Sequence, residues 1–231
     1  MDRNAIKFGL LAFLAAFAGW LNSSLLWFAI VLLWMSAAFG LVALAYQLAA
    51  PGLLMKPADG RQRWFSIFIL WPYLLFAHFS FWNYRLFART NVAFAEVAPG
   101  VWFGRRLLAS EVVRAAVPWT SVVDLAAEFG RAPIRVAHYL SLPLMDGSAC
   151  DSSALLSACD WIDEHVEAGP LLVHCAFGHG RTGSVILTWL LRTGRVTSID
   201  RGIDLLRTLR PSFGISEKQK EAVILAVKSS T

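Results

Sequence analysis

The sequence predicts an α/β domain that follows a transmembrane helical segment of two to three spans. Residues 93–231 alternate short apolar strands with amphipathic helices, which is typical of a layered α/β fold. The first 90 residues instead contain three long apolar stretches, and the whole chain is 57% hydrophobic. That fraction is too high for one soluble domain. We therefore expect a transmembrane helical region at 1–90 and a separate globular domain at 91–231.

The three apolar stretches approach or exceed the length of a membrane span. Residues 5–21 are interrupted only by Lys7, residues 25–50 carry no charge, and residues 64–82 carry no charge. A helix needs about 20 apolar residues to cross the hydrocarbon core. The first stretch could instead be a signal peptide, although it has no clear cleavage site. The third could instead be an interfacial helix that Pro72 kinks.

The globular part contains a regular series of strands and helices. The pattern of the globular part predicts a linker, then an edge strand, and then alternating helices and strands. Gly194 is expected to cap the C-terminus of the helix that precedes it. The expected elements are the linker 88–98, strands 101–104, 121–125, 135–142 and 171–173, and helices 110–116, 152–167, 184–191, 198–210 and 216–228.

Charge is divided unequally between the two parts. Residues 1–92 hold seven Lys or Arg and two Asp or Glu, whereas residues 93–231 hold fourteen of each. The neutral globular part argues against nucleic acid as a partner, and the basic residues are expected to face lipid headgroups. The partner that this distribution predicts is a lipid bilayer.

The side of the membrane depends on the number of spans. Basic residues precede the first stretch and follow the second, which places both ends in the cytoplasm by the positive-inside rule. Two spans then leave the globular domain cytoplasmic, and three place it outside. The three cysteines form no disulfide framework, which favours the cytoplasmic side.

Residues 174–183, with the sequence His-Cys-Ala-Phe-Gly-His-Gly-Arg-Thr-Gly, contain the most informative pattern of the chain. A strand precedes Cys175 and a helix follows the loop. A helix N-terminus and a nearby cation favour the thiolate form of a cysteine, and the thiolate is a nucleophile. Backbone N–H groups of the loop are expected to bind a phosphate-sized anion. The expected phosphate-binding residues are Ala176, Phe177, Gly178, His179, Gly180 and Arg181.

Other side chains of the loop have candidate roles in the same chemistry. Arg181 offers a planar pair of donors to two phosphate oxygens. Thr182 is expected to stabilise the sulfur as a leaving group, and His174 to fix the loop. The alternatives are an inert buried thiol or a zinc site of His174, Cys175 and His179. No matching zinc-ligand spacing exists elsewhere in the chain.

These residues resemble the cysteine-dependent phosphatase superfamily, whose signature is H-C-x5-R-[ST]. The ending G-x-G-R-T-G is similar to the dual-specificity branch, and residues 122–125 and 209–211 are similar to flanking segments of that family. The resemblance covers roughly residues 97–228. It implies a phosphatase-type central sheet flanked by helices. It also implies hydrolysis of phosphomonoesters through a cysteinyl-phosphate, with no cofactor and no metal.

Such a reaction needs an acid to protonate the leaving oxygen and then to take a proton from water. The family carries an Asp on a loop about thirty residues before the Cys, and Asp146 lies 29 residues before Cys175. Asp146 is therefore the expected acid. Asp151 competes for the role but fits a helix N-cap, and Asp160 and Asp163 fall within a helix.

Four further residues have two interpretations each. Gln219 either positions water or forms a capping box with Ser216, and we favour the cap. Phe177 and His179 are expected at the rim of the loop, where they either influence substrate choice or only pack. Cys159 lies on the apolar face of a helix, so we expect it in the core rather than in the chemistry.

The function predicted first is a membrane-anchored phosphatase of the dual-specificity type that acts on phosphotyrosine, phosphoserine or phosphothreonine in proteins. A phospholipid headgroup phosphatase of the same mechanism is the alternative. A catalytically silent phosphate-binding scaffold is a third possibility, which the presence of Cys175, Arg181 and Asp146 disfavours. We also expect residues 91–231 to be soluble and active by themselves on a small phosphate ester.

Overall fold

The computed structural model describes residues 2–88 and 91–230, and it begins with three long apolar helices. They are α1 (Arg3–Leu21), α2 (Leu26–Gln47) and α3 (Trp64–Phe87), and each is long and apolar enough to cross a membrane. The side chain of Asp2 caps α1 by accepting hydrogen bonds from the N–H groups of Asn4 and Ala5. The turn at residues 22–25 folds α2 back against α1 as a helical hairpin. The helix is uninterrupted around Pro72. It continues past Asn83 and Arg85, the polar residues that follow the apolar stretch 64–82 and were expected to end it, as far as Phe87. Arg89, the next charged residue, was expected to contribute to the same end and lies outside the described residues.

A mixed five-stranded sheet forms the centre of the second part, in the order β1-β2-β5-β3-β4. The strands β2, β5, β3 and β4 are all parallel to one another, and β1 is antiparallel to β2. Cys175 is therefore at the carboxyl end of the central strand, with a parallel neighbour on each side. The strands are β1 (Phe94–Ala98), β2 (Val101–Arg105), β3 (Ser121–Ala126), β4 (His138–Leu144) and β5 (Leu171–Cys175).

The expected α/β architecture is confirmed, with one correction at the edge of the sheet. Residues 88–98, expected as a linker, contain β1, so β1 and not β2 forms this edge. Gly104 allows the backbone at the start of β1 to approach β2 closely, because a Cβ at residue 104 would lie 2.6 Å from the Ala93 carbonyl oxygen. β1 is only five residues long, and so short an apolar segment does not identify a strand by periodicity alone.

Helices cover one face of the sheet. Side chains of β5 such as Leu171 and Val173 are fully buried against α5, α6 and α8. Cys159 of α5 is in this core, as expected, and burial raises the pKa of its thiol to about 12. The helices of the domain are α4 (Ala109–Ala115), α5 (Ser152–His165), α6 (Gly180–Arg192), α7 (Ile199–Leu209) and α8 (Glu217–Ser229), and residues 166–168 form one turn of 3-10 helix after α5.

The apolar helices pack over the carboxyl ends of β3, β4 and β5. Phe8, Tyr46 and Tyr73 form one apolar cluster with Ala127 and Met145, which follow β3 and β4. A second cluster joins α3 to the loops after β3 and β5, through Ala77, Phe81, Phe129, Ala176 and Phe177. The helical segment and the α/β domain therefore share buried surface at the end of the sheet where Cys175 lies.

Both ends of α3 contact the α/β domain. Just before the helix, Gln62 donates a 3.3 Å hydrogen bond to the Glu128 carbonyl. At the other end the Tyr84 hydroxyl lies 2.8 Å from His179 Nε2, and Arg85 forms a 2.6 Å ion pair with Glu111. A helix of 24 residues is about 36 Å long. The helix therefore lies along the domain, and its outer face exposes apolar side chains, including Trp71, Leu75, Phe79 and Trp82.

Lys56, in the segment between α2 and α3, is buried in the α/β domain. Its Nζ donates to Asp124 Oδ2 at 2.8 Å and to the Ala126 carbonyl at 2.6 Å. Both side chains of the ion pair are fully buried. Burial alone would raise the pKa of Asp124, but His174 and Lys56 hold it below the usual value. Our expectation that the basic residues of the first part face lipid is therefore wrong for Lys56.

We predict that Lys56→Met strongly destabilises the protein, because the buried Asp124 carboxylate loses its counter-charge. Removing one member of a buried ion pair costs about 3–5 kcal/mol. Thermal unfolding of the full-length protein in detergent measures this loss. Arg61→Met, which removes an exposed cation from the same segment, serves as the matched control. Equal melting temperatures for the two variants would contradict the prediction.

Candidate active site

The loop between β5 and α6 surrounds the sulfur of Cys175. Cys175 ends β5, α6 begins at Gly180, and the Gly178 N–H lies 3.2 Å from Cys175 Sγ. Gly178 has a φ of 72°, and a Cβ there would lie 2.4 Å from the Gly104 backbone. Only glycine fits such a position. The sulfur is almost completely buried, with 2% of the residue exposed.

Arg210 fixes the outer side of this loop. Its guanidinium donates to the Gly178 carbonyl and, at 3.5 Å, to the Phe177 carbonyl, while Nε donates to the Val92 carbonyl at 3.0 Å. The side chain is fully buried. Because the loop carbonyls are bound on that side, the loop N–H groups can turn towards the sulfur, as that of Gly178 does.

Arg181, the first arginine after Cys175, lies between two carboxylates. Glu128 accepts two hydrogen bonds from it, each 2.7 Å long, and Asp146 Oδ1 lies 3.0 Å from Nη2. Burial of Arg181 opposes its charge, but Glu128 and Asp146 hold its pKa well above the usual value. Within the part of the chain that the structure describes, the buried Nε of Arg181 has no hydrogen-bond partner. That N–H is a donor suited to an oxyanion.

The four candidate acids occupy different environments. Asp146, in the loop after β4, contacts Arg181 and keeps half of its side chain exposed. Asp151 caps α5 by accepting from the N–H groups of Ser153 and Ala154, as its alternative interpretation predicted. Asp160 and Asp163 of α5 form ion pairs with Arg192 of α6. Of these four acids, only Asp146 lies beside the loop, because it forms the ion pair with Arg181.

Thr182 follows the loop in the sequence and His174 precedes Cys175, and both side chains are fully buried. The Thr182 hydroxyl donates to the Gly104 carbonyl at 3.4 Å, and its role at the sulfur stays a prediction. His174 is fully buried, with Nδ1 3.3 Å from the Cys175 carbonyl oxygen. Burial lowers the pKa of His174 to about 4, so its ring is neutral at pH 7.

The rim residues of the loop are held by α3. The Phe177 ring lies 4.8 Å from that of Tyr84 and 6.4 Å from that of Phe81, between ring centroids. His179 accepts or donates the hydrogen bond to the Tyr84 hydroxyl, and burial and Arg210 lower its pKa to about 4. Both residues therefore connect the loop to the apolar helices.

Gln219 forms the capping box that we favoured. Its Oε1 accepts from the N–H and the hydroxyl of Ser216, at 3.1 and 3.0 Å. Its amide also lies against the loop, because a Cβ at Gly180 would be 2.3 Å from Gln219 Nε2. A side chain at residue 180 would therefore displace the Gln219 amide from this position.

Sequence reasoning missed two groups that shape the site. Glu128 comes two residues after β3, and an acid just beyond the carboxyl end of a buried parallel strand is a usable signal for a site residue. Tyr84 gave no signal, because an aromatic residue near the end of an apolar stretch is expected in any membrane helix.

The cavity beside these residues is small and has walls from both parts of the protein. It has a volume of about 100 Å³. The α/β domain contributes Glu128, Phe129, Asp146 and Phe177. The apolar helices contribute the rest of the lining, namely Phe8, Tyr46, Tyr73, Phe76, Ala77 and Ser80.

Comparison with known proteins supports the phosphatase resemblance. A family model described as a polymorphic toxin system DSP-PTPase phosphatase matches residues 105–195. The dual specificity protein phosphatase OPG106 of vaccinia virus (strain Copenhagen) is 28% identical over 118 residues. The match covers 48% of this chain and 66% of the viral protein, just under two thirds of its length.

Solved structures share the same fold. A mutant form of Tk-PTP is 25% identical with a TM-score of 0.52, over 60% of this chain and 96% of its own. PTPMT1, solved in complex with PI(5)P, is 14% identical with a TM-score of 0.50, over 60% of this chain and 96% of its own. That second likeness concerns the fold alone. The α/β part of this chain is therefore similar in sequence and fold to dual-specificity phosphatases.

We predict that the protein loses stability as the pH falls from 6.5 to 4. The pKa values of His174 and His179 are lowered to about 4 in the folded state, from 6.5. The unfolded chain therefore binds more protons in this window, and the stability present above pH 6.5 is lost progressively. For the fully buried His174 the loss is at most about 3 kcal/mol.

Thermal unfolding of the full-length protein in detergent, at several pH values, measures this decline. His179→Gln should remove part of it, whereas His138→Gln, which changes an exposed residue, should not. A melting temperature that is constant from pH 6.5 to 4 would show that these two rings are not buried in neutral form.

Proposed function

We propose that this protein is a membrane-held phosphatase that hydrolyses phosphomonoesters through a cysteinyl-phosphate at Cys175. The observation that supports it best is the arrangement around the loop after β5. The Cys175 sulfur accepts an N–H of the loop, Arg181 Nε has no hydrogen-bond partner among the described residues, and Asp146 lies 3.0 Å from Arg181. A thiolate, an oxyanion site and an acid are the three groups that the reaction needs.

The first step transfers the phosphoryl group to sulfur. The Cys175 thiolate attacks phosphorus, the bond from phosphorus to the ester oxygen breaks, and Asp146 gives its proton to the departing oxygen. The loop N–H groups and Arg181 bind the phosphoryl oxygens as their charge develops. Glu128 holds the Arg181 guanidinium in place by two hydrogen bonds, so it acts as a positioning residue.

The second step hydrolyses the intermediate. A water molecule attacks phosphorus, the Asp146 carboxylate takes a proton from that water, and the bond from phosphorus to sulfur breaks. Inorganic phosphate leaves and the thiolate is restored. Because the same carboxyl acts as acid and then as base, no further titratable group is required.

The helical hairpin of α1 and α2 is the proposed membrane anchor. Its helices have 19 and 22 residues, and its tip carries exposed Trp20 and Trp27, which suits an interfacial position. We assign α3 to the membrane surface, because both of its ends contact the α/β domain. This supports two spans and an interfacial third helix.

Two spans leave the N-terminus, the segment between α2 and α3 and the catalytic domain on one side. The basic residues in the first two turns of α1 and those after α2 lie on this side, and the turn at the hairpin tip carries no charge. By the positive-inside rule that side is the cytoplasm. We therefore propose a cytoplasmic catalytic domain.

The reaction is the same for a phosphorylated side chain and for a phosphorylated lipid. The name of the viral relative, a dual specificity protein phosphatase, supports protein substrates. The walls of the cavity, which come largely from the apolar helices, support a lipid.

We predict that Cys175→Ser abolishes turnover of p-nitrophenyl phosphate by the full-length protein and that it retains binding of inorganic phosphate. The loop N–H groups and Arg181 remain in the variant, whereas the nucleophile is lost. Mass spectrometry of acid-quenched wild-type protein should find phosphate on Cys175. Retention of a tenth of the wild-type rate would rule out Cys175 as the nucleophile.

We predict that Asp146→Asn slows the hydrolysis of alkyl phosphates by about 10²–10⁴-fold, because a poor leaving group needs a proton. p-Nitrophenyl phosphate, which has a better leaving group, should be slowed less. Asp151→Asn is the matched control, because it makes the same change at the cap of α5, where Asn can still accept the capping hydrogen bonds. If Asp151→Asn produced the dependence on leaving group and Asp146→Asn did not, the acid would be Asp151.

A further inference from the structure

We propose that the natural substrate is a membrane lipid with a terminal phosphomonoester, whose hydrocarbon chain lies in a groove along α1 and α3 that opens into the catalytic cavity. This inference rests on the proposed phosphatase function and specifies its substrate. The groove is lined by Asn4, Lys7, Phe8, Leu10, Leu11, Tyr46, Phe76 and Asp146. We call it the α1–α3 groove.

The groove is continuous with the catalytic cavity. Phe8, Tyr46, Phe76 and Asp146 line both spaces. Asp146, the proposed acid, therefore lies where the two meet. A substrate whose ester oxygen is beside Asp146 would extend directly into the groove, which has a volume of about 410 Å³. This is room for a hydrocarbon segment as well as a headgroup.

The groove changes from polar to apolar along α1. Asn4 and Lys7 lie in the first two turns of the helix, and Leu10 and Leu11 lie in the next turn. Leu10 is 56% exposed and Leu11 is 38% exposed. If the hairpin crosses the bilayer, the polar end lies at the level of the headgroups and the leucines face the acyl chains. A lipid in the outer part of the groove would thus keep its chain in a hydrocarbon environment.

A third space beside Asp146 carries the charge that suits an anionic headgroup. It has a volume of about 430 Å³, and Arg3, Lys7 and Lys218 line it together with Asp2 and Asp146. The three cations exceed the two carboxylates. Asn4 and Lys7 line both this space and the groove. A phospholipid with a phosphodiester next to its terminal phosphomonoester fits this arrangement, because Lys7 can pair with the second phosphate.

The helices also restrict access by a protein. Six of the ten side chains around the catalytic cavity come from α1, α2 and α3. Phe177 and His179 at the rim of the loop are covered by Tyr84. A phosphorylated side chain on a folded protein would meet α3 at the rim of the loop, whereas a lipid can reach Asp146 along the groove from the membrane.

The experiment uses full-length protein in phosphatidylcholine vesicles and measures phosphate release. The lipid probes are dioleoyl phosphatidic acid, phosphatidylglycerol phosphate and a phosphatidylinositol monophosphate. p-Nitrophenyl phosphate reports the chemistry alone, and a palmitoylated phosphotyrosine peptide reports protein substrates at the same membrane surface. We expect the highest kcat/KM for one of the lipids. Anchoring raises the effective concentration of every membrane-bound substrate, so the peptide must carry a lipid for a fair comparison.

Two variants of α1 test the groove itself. Leu11→Trp fills the groove with another apolar residue, and Leu14→Trp makes the same change one turn further along, at an exposed position outside the lining. We expect the ratio of lipid to p-nitrophenyl phosphate kcat/KM to fall about tenfold or more in Leu11→Trp, because burial of a chain is worth ~0.8 kcal/mol per methylene. The same ratio should not change in Leu14→Trp.

A variant of the cationic space tests the headgroup. Lys7→Met should raise KM about five- to tenfold for the two lipids with a phosphodiester and less for phosphatidic acid, since a charge-assisted hydrogen bond is lost. Lys228→Met, at an exposed position on α8, is the control for charge alone.

The outcomes distinguish failure of the lipid proposal from failure of the phosphatase function. A peptide hydrolysed faster than all three lipids, or equal effects of Leu11→Trp and Leu14→Trp, would overturn the lipid proposal and leave the phosphatase function in place. Hydrolysis of p-nitrophenyl phosphate without hydrolysis of any lipid would do the same. No hydrolysis of any probe, with no phosphate on Cys175, would instead overturn the phosphatase function.

Discussion

The burial of Arg181 is the constraint on which the site depends. A guanidinium with no exposed surface needs carboxylates around it, and it has Glu128 from the loop after β3 and Asp146 from the loop after β4. One cation in the first turn of α6 thus connects the loops after β3 and β4 to the end of the loop after β5. The proposed acid, anion site and nucleophile are held close together as a consequence.

A second buried charge connects the apolar helices to this arrangement. Asp124 of β3 is fully buried beside His174, and its cation comes from Lys56 in the segment between α2 and α3. The charge on β3 is therefore compensated by a residue outside the α/β domain. The boundary near residue 90 separates two compositions, but the ion pair and the shared apolar clusters cross it.

The helices also give the catalytic cavity most of its wall. Phe8, Tyr73 and Phe76 close the space above Glu128 and Asp146, and Tyr84 binds the rim of the loop. The same helices expose apolar faces on their outer sides. In the proposed arrangement these outer faces lie on lipid, and the helices bring the proposed site to the membrane surface, where the effective concentration of a lipid substrate is high.

The local pattern of the sequence was enough to predict the three apolar helices, the alternation of strands and helices, and the loop from Cys175 to Arg181. Such features depend on residues that are close in the chain, as in the capping of α5 by Asp151 and of α8 by Gln219. The strand β1 was missed because its five residues are too few for periodicity to distinguish a strand from a connecting segment.

Only the tertiary structure determined the partners of the buried charges and the position of α3. Glu128 is 53 residues from Arg181, and Lys56 is 68 residues from Asp124. An apolar stretch of 24 residues has the same composition whether it crosses a bilayer or lies on a domain. The choice depends on which groups its two ends contact, and contacts between distant parts of a chain leave no periodicity in the sequence.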